Sequence, residues 1–221
     1  MKTNYQLILD KKLKETEASG IRPSLLLHAC CAPCSSYVLE YLSKYFRITL
    51  FFYNPNISHR SEHDTRYAEL HRLVREMGLE GEVTFADSEY EPERFLQIAR
   101  GLEHLPEGGE RCRKCYALRL DATARAAVEG GFDLFTTTLS ISPHKNAEWL
   151  NTLGKEMADK YGSEYLFSDF KKRGGYLRSC RLSEQYGLYR QDFCGCVYSK
   201  LHREKEQRRQ TLEKDKNEDA T

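Results

Sequence analysis

Residues 25–34 read LLLHACCAPC, an apolar run that leads directly into three cysteines. The run is typical of a short buried strand. Pro33 suits the first turn of a helix, and apolar residues recur at helical spacing over residues 38–42. The pattern therefore predicts a strand, a tight turn and a helix whose N-terminus carries the three thiols. The positive end of a helix dipole favours thiolate, the form that binds metals or attacks disulfides.

The same alternation of strand and helix patterns continues along the chain. Residues 47–53 (RITLFFY), 82–86 (EVTFA) and 132–138 (FDLFTTT) predict buried strands, residues 165–167 predict a fifth, and helical periodicity fills the intervals. This order indicates the α/β class: a single-domain, Rossmann-like sheet of the HUP type, mainly parallel, with helices on both faces.

Ligands of such sheets collect beyond the carboxyl ends of the strands. We therefore expect the first cysteine group, the Asn54-Pro55-Asn56 turn and the segment 138–145 to face one crevice, because each follows a predicted strand. The domain prediction is an N-terminal extension over residues 1–22, an α/β domain over 23–200 and a charged C-terminal tail over 201–221.

The bulk composition is that of an ordinary globular chain. It has 221 residues, a net charge of +1, a mean hydropathy of −0.67 and eight cysteines, too few for a small disulfide scaffold. Neither a signal-peptide pattern nor a long apolar run occurs, so we expect a cytoplasmic protein without a membrane span. In that compartment, clustered cysteines indicate metal binding or redox chemistry.

Seven of the eight cysteines fall into three groups: CCAPC (30–34), CRKC (112–115) and CGC (194–196). A buried cysteine can serve as a small hydrophobe, but that explains three in five residues poorly. The CRKC thiols are three residues apart and share one helical face, a spacing at which two side chains commonly bind the same metal. The first two groups are too far apart for a zinc ribbon. An iron–sulfur cluster assembled by tertiary structure fits the spacing.

The CGC group leaves two interpretations open. A disulfide across one residue closes a strained ring, which is typical of labile or catalytic disulfides, whereas two free thiols could instead bind a second metal. Cys180 is most simply an incidental thiol. His59 and His63 lie four residues apart, a spacing that surface helices show by chance, so no metal is assigned to them.

Residues 170–183 form a basic segment without an acidic residue. Aromatic rings interleaved with cations suit single-stranded nucleic acid, while the competing interpretation is a solvated surface loop. Phe170 is a candidate stacking ring. The candidate nucleic-acid-binding residues are Lys171, Lys172, Arg173, Tyr176 and Arg178.

Several blocks together resemble the QueH family of epoxyqueuosine reductases, over about residues 25–199. They are LLHACCAPC (26–34), YNPNI (53–57), RCRKCY (111–116), TTTL (136–139) with Ser142-Pro143, and GLYRQDFCGC (187–196).

The resemblance implies reduction of epoxyqueuosine, at the wobble position of a tRNA anticodon, to queuosine without cobalamin. It implies a 4Fe-4S cluster held by Cys30, Cys31, Cys112 and Cys115. It also implies a redox-active pair at Cys194 and Cys196, or a second mononuclear iron that these two hold together with Cys34. Removal of the epoxide oxygen takes two electrons, so an external electron donor is expected. Candidate proton donors are Tyr189, Asp192 and Lys145.

Two other functions are compatible with parts of the sequence. A cluster-containing tRNA thiolase would use ATP, but the turn after the first strand has no glycine with which to cradle phosphates. A zinc-stabilised RNA-binding adaptor would be colourless and would hold zinc. Binding of ATP and the identity of the bound metal therefore separate the three functions.

Overall fold

The computed structural model describes residues 3–218. Its strands are β1 (Ser24–His28), β2 (Arg47–Phe51), β3 (Val83–Ala86) and β4 (Leu134–Thr137). Its helices are α1 (Tyr5–Ser19), α2 (Ala32–Leu42), α3 (Arg60–Glu76), α4 (Pro92–Ala99), α5 (Glu110–Glu129), α6 (Ala147–Tyr161), α7 (Gly175–Gln185) and α8 (Val197–Glu218), with a 3-10 turn at Thr138–Ile141. Within 3–218, none of the helices is both long and apolar enough to cross a bilayer.

The four strands form one parallel sheet in the order β3-β2-β1-β4. In register, Leu26 of β1 lies between Thr49 of β2 and Phe135 of β4. The chain adds β2 and β3 on one side of β1 and then crosses to place β4 on the other side. The carboxyl ends of β1 and β4 therefore flank the point where the strand order reverses, which is where ligands of open α/β sheets bind.

Helices cover both faces of the sheet, as predicted. Leu25 and Leu27 of β1 belong to one hydrophobic cluster, while Leu26 belongs to the cluster on the opposite face. Alternate residues of a strand point to opposite faces, so an unbroken apolar run is what a doubly covered strand requires. Helix α1, within the predicted N-terminal extension, buries Leu9 and Leu13 in the first cluster. The domain boundary at residue 22 stays a prediction.

The predicted fifth strand at residues 165–167 is wrong. In the part of the chain that the structure describes, Tyr165 forms only an isolated bridge with Phe135. The Leu166 carbonyl accepts a hydrogen bond from the Thr136 hydroxyl (2.8 Å), so a side chain satisfies the group that a further strand residue would have paired. The pairing ends there because that polar group no longer needs a backbone partner.

Gly154 of α6 offers a direct test of this packing. A Cβ at residue 154 would lie 2.4 Å from the ring of Tyr165, which is only 4% exposed. We expect Gly154→Ala to lower the free energy of unfolding by about 1–3 kcal/mol through overpacking, despite the better helix propensity of alanine. Urea denaturation measures the effect. Gly81→Ala is the matched control, because its Cβ meets nothing within 4 Å. Equal midpoints for the two variants would contradict the packing.

Candidate active site

Three thiols converge at the N-terminus of α2. Cys31 is the N-cap residue of this helix, and Pro33 lies in its first turn, as the sequence predicted. The sulfurs of Cys30, Cys31 and Cys34 all lie within 4.8 Å of one another, and the first two are 3.7 Å apart. Among residues 3–211, no other His, Cys, Asp or Glu side chains form a group of three this close. The cluster is compatible with a metal or an iron–sulfur group.

Cys30 is the most acidic of the three thiols. Hydrogen bonds with Cys31 and Cys34 lower the pKa of Cys30 well below its ordinary value, and the Thr138 hydroxyl, 3.4 Å from Cys30 Sγ, contributes. The bond to Cys30 in turn raises the pKa of Cys31 to about 12 and the pKa of Cys34 well above its ordinary value. A metal bound by all three sulfurs would displace the protons of Cys31 and Cys34, so its affinity should rise with pH.

A cavity of about 630 Å³ opens directly onto these thiols. Its walls include Cys30, Cys31 and Cys34 on one side, and Cys194 from the connection between α7 and α8 on the other. Residues 139 and 141–145 also line it, and Asn54 Nδ2 donates to the Ala29 carbonyl beside it (2.9 Å). The first cysteine group and the segment 138–145 therefore meet at one crevice, as the sequence predicted. Within the described chain, the Asn54-Pro55-Asn56 turn is not among the cavity residues, and Asn54 reaches the cavity wall only through its hydrogen bond with Arg119.

The CGC pair is reduced, and its two sulfurs are in contact. The Sγ atoms of Cys194 and Cys196 are 3.5 Å apart, and Ser199 Oγ lies 3.1 Å from Cys194 Sγ. The hydrogen bond between the two thiols, helped by the Lys145 charge, lowers the pKa of Cys194 well below its ordinary value. The pKa of Cys196 is raised correspondingly. Cys194 is therefore the more acidic thiol of the pair.

Residues of the second strand end anchor the CGC loop. Asn56 Nδ2 and Arg66 Nη1 each donate to the Cys194 carbonyl at 3.2 Å, and Ser58 N donates to the Gly195 carbonyl at 3.0 Å. Gly195 has φ +110°, and a Cβ there would lie 3.0 Å from an Ile57 side-chain carbon. Sequence reasoning placed the 54–56 turn at the crevice but missed Arg66, which sits inside a helical pattern with nothing in its neighbourhood to mark it.

Cys112 and Cys115 lie in the first two turns of α5, on one face, as their spacing predicted. Gly108 N donates to Cys112 Sγ (3.3 Å), and Cys115 packs with Cys196 in a small apolar cluster. Burial raises the pKa of both CRKC thiols, that of Cys115 to about 11. Neither belongs to the close group at α2. The assignment of Cys30, Cys31, Cys112 and Cys115 to one 4Fe-4S cluster stays a prediction. Thiolates that bind separate irons of a cluster lie further apart than the ligands of a single ion, so the wider spacing does not contradict it.

Two buried cations reach the cavity wall. Arg119 of α5 is 4% exposed and donates to His28 Nε2 (3.2 Å) and Asn54 Oδ1 (2.6 Å). Burial, and then the Arg119 charge, lower the pKa of His28 to about 3, so its ring is neutral. Lys145 pairs with Glu107 (3.4 Å). Burial opposes its charge, but the negative charge that Cys194 carries when ionised and the Glu107 carboxylate raise the pKa of Lys145 above its ordinary value.

Of the three proton-donor candidates, Lys145 and Asp192 line the cavity, and Asp192 is paired with Arg203 (3.2 Å). Tyr189 is not among the cavity residues of the described chain, and its hydroxyl donates to Glu62 (2.9 Å). Sequence reasoning missed Arg119. Its position four residues after Cys115, on the same helical face, was the available signal.

A comparison with known proteins finds a family whose profile includes these cysteines. The profile of the family described as Epoxyqueuosine reductase QueH matches residues 25–202, which include all three cysteine groups. This chain belongs to the QueH family. The QueH epoxyqueuosine reductase of Streptococcus pyogenes serotype M1 is 45% identical over 200 residues, which is 90% of this chain and 78% of the relative.

Other QueH relatives extend over similar shares of the chain. The epoxyqueuosine reductase of Staphylococcus epidermidis is 42% identical over 204 residues, 90% of this chain and 86% of the relative. That of Thermotoga maritima is 35% identical over 184 residues, 81% of this chain and 92% of the relative. The QueH identification therefore covers the sheet, the cavity and every cysteine group.

The basic segment of this QueH chain is a turn over residues 170–174 that leads into helix α7 at Gly175, so most of it is not a loop. Its role in nucleic-acid binding stays a prediction. Phe170 is 1% exposed and packs in the core, so its predicted stacking role is wrong. Ion pairs join Lys171 to Asp169, Arg173 to Asp10 and Arg178 to Glu40. Tyr176 is 39% exposed and lines the cavity, and Lys172 is exposed.

Proposed function

We propose that this chain reduces epoxyqueuosine in a tRNA anticodon to queuosine, without cobalamin. Membership of the QueH family makes it an oxidoreductase. The observation that carries the proposal is the meeting of two sulfur groups at one cavity: three thiols at the α2 N-terminus line it together with Cys194, whose sulfur contacts that of Cys196. A metal site and a two-electron donor are the parts that removal of an epoxide oxygen requires.

The donor set fits an iron–sulfur group. Every candidate ligand is a thiol, and soft thiolates select iron–sulfur clusters over hard cations. We assign a 4Fe-4S cluster to the side chains of Cys30, Cys31, Cys112 and Cys115. When bound, the cluster would supply electrons. Cys34 then remains beside the cavity, where it and the CGC pair could hold a second mononuclear iron.

The chain's own thiols can supply the full redox balance. Conversion of an epoxide to an alkene and water consumes two electrons and two protons. Oxidation of the Cys194 and Cys196 thiols to a disulfide releases two electrons and two protons, and their 3.5 Å contact allows that bond to form. An external electron donor would then restore the thiols. The Lys145 ammonium at the cavity wall would stabilise negative charge on the departing oxygen.

The cavity mouth provides contacts for a splayed base. Tyr176 and Arg190 both line it, and both are exposed. A ring beside a guanidinium suits an unstacked nucleotide of an anticodon loop. Lys172 remains a candidate from the basic segment, whereas Lys171, Arg173 and Arg178 already have carboxylate partners.

We expect Tyr176→Ala to weaken binding of an anticodon stem-loop by at least about fivefold, because one stacked base contributes roughly 1–3 kcal/mol. Fluorescence anisotropy at two salt concentrations measures the affinity and its salt dependence. The combined change of Lys171, Lys172 and Arg173 to alanine should have a smaller effect, since two of these cations are paired. A larger loss for this triple variant than for Tyr176→Ala would restore the basic segment as the main contact.

The function itself is tested by anaerobic purification, iron and sulfide analysis, and reaction with tRNA that carries the epoxide and a chemical reductant. We expect a brown protein whose product nucleoside lacks one oxygen by mass spectrometry. A colourless protein that holds zinc and leaves the tRNA unchanged would support the adaptor function instead. ATP-dependent thiolation of tRNA would support the thiolase.

A further inference from the structure

Arg119 is a buried cation without a carboxylate partner. Its side chain is 4% exposed, and among residues 3–211 no Asp or Glu forms an ion pair with it. Two other cations of the cavity wall have carboxylate partners: Arg66 pairs with Glu62 (2.7 Å) and Lys145 with Glu107. A buried charge left uncompensated costs several kcal/mol, so its counter-ion has to be sought in the cavity that it lines.

The two hydrogen-bond partners of Arg119 are neutral and are themselves fixed. His28 Nδ1 lies 2.8 Å from Thr137 Oγ1, and Asn54 Nδ2 donates to the Ala29 carbonyl (2.9 Å). These residues stand at the carboxyl ends of β1, β2 and β4. These hydrogen bonds hold the Arg119 guanidinium at the edge of the sheet, but neither partner carries a negative charge that would neutralise it.

Both sulfur groups of the predicted cluster lie within reach of this charge. Arg119 lines the same cavity as Cys30, Cys31 and Cys34, and it lies one turn beyond Cys115 on α5. Its charge helps to lower the pKa of Cys30, after the hydrogen bonds of the neighbouring thiols, and it opposes the larger effect of burial on the pKa of Cys115.

We infer that Arg119 is the fixed counter-charge of the anionic sulfur–metal group held in this cavity. A group with three or four thiolates carries more negative charge than the neutral thiols that it replaces. A cation held beside it therefore favours metal loading, and it favours the reduced form of a redox-active group over the more positive oxidised form. The identification of this group as an iron–sulfur cluster rests on the proposed function, whereas the counter-charge role of Arg119 does not.

The test compares Arg119→Gln, which removes the charge and retains a hydrogen-bond donor toward Asn54, with Arg119→Lys, which retains the charge. Cobalt(II) is titrated into the anaerobic, metal-free full chain, and thiolate-to-metal absorption is followed. We expect Arg119→Gln to bind cobalt at least about tenfold more weakly, as for one charge acting over roughly 10 Å at an effective dielectric near 20. Arg119→Lys should recover most of the affinity. Arg125→Gln, at an exposed position of the same helix, is the control.

The second measurement is the reduction potential of the reconstituted cluster, which should become more negative in Arg119→Gln and return toward the wild-type value in Arg119→Lys. Unchanged cobalt affinity in Arg119→Gln, or equal losses in the Gln and Lys variants, overturns the inference and makes Arg119 a packing residue. If the wild-type protein assembles no iron–sulfur cluster, the proposed function fails. The cobalt titration still tests whether Arg119 is the counter-charge. Arg119→Met replaces the Gln variant should that one not fold.

Discussion

Cys30→Ala is expected to lose bound iron and turnover together. Cys30 is the most acidic thiol of the α2 trio, with the neighbouring sulfur of Cys31 at 3.7 Å and the Thr138 hydroxyl at 3.4 Å. Its removal takes away the sulfur that most readily forms the thiolate that binds metal. We expect iron per chain and the rate of epoxide reduction each to fall by at least about 100-fold, beyond the 10–100-fold typical of outer-shell changes.

The matched control is Cys180→Ala, which removes a half-buried thiol that is not among the cavity residues of the described chain. It should keep the colour, the iron and the activity. Cys112→Ala provides the ligand assignment: it should behave like Cys30→Ala if the CRKC pair holds the same cluster. Full iron content in Cys112→Ala would confine the metal site to the α2 trio and contradict the four-cysteine assignment.

Cys194→Ser is expected to retain the cluster and stop the reaction. Cys194 lines the cavity from the connection between α7 and α8, so its replacement leaves the α2 trio in place. We expect turnover to fall by at least about 1000-fold, comparable to the loss of a covalent catalyst. Visible absorption should change little. Single-turnover assays without added reductant separate this pair from the external donor.

Iron content distinguishes the two interpretations of the CGC group. If the pair acts as a dithiol, Cys194→Ser retains all of its iron, and one turnover of the wild-type protein consumes two free thiols. If the pair binds a second mononuclear iron, the variant loses one iron atom per chain. Substantial turnover in Cys194→Ser with normal iron content would contradict both roles.

Sequence patterns predicted the sheet because its strands are buried on both faces. Leu25 to Leu27 are 0% exposed, and their unbroken apolar run is what such a strand requires. Residues 165–167 show the limit of this reasoning. They have the same apolar character, but the Thr136 hydroxyl satisfies the backbone there, and no local pattern encodes a contact with a residue so distant in the chain.

The basic segment shows a second limit. Its charges are visible in the sequence, but only folding brings Asp10 to Arg173 and Glu40 to Arg178. Phe170 has an aromatic ring of the kind that stacks on bases, but folding buries that ring in the core. A run of cations therefore indicates a binding surface only when tertiary structure leaves those cations unpaired.

The sequence by itself determined the α/β class, the three cysteine groups and the family, because each depends on spacing within a short segment or on blocks in a fixed order. Tertiary structure alone decided which thiols converge, which cations remain unpaired and what holds the CGC loop. Arg66, Arg119 and Asn56 gain their roles from contacts with residues 65 to 138 positions away. Such contacts form because the crossover connections of a parallel sheet bring distant segments together at the sheet edge. No periodic pattern along the sequence indicates them.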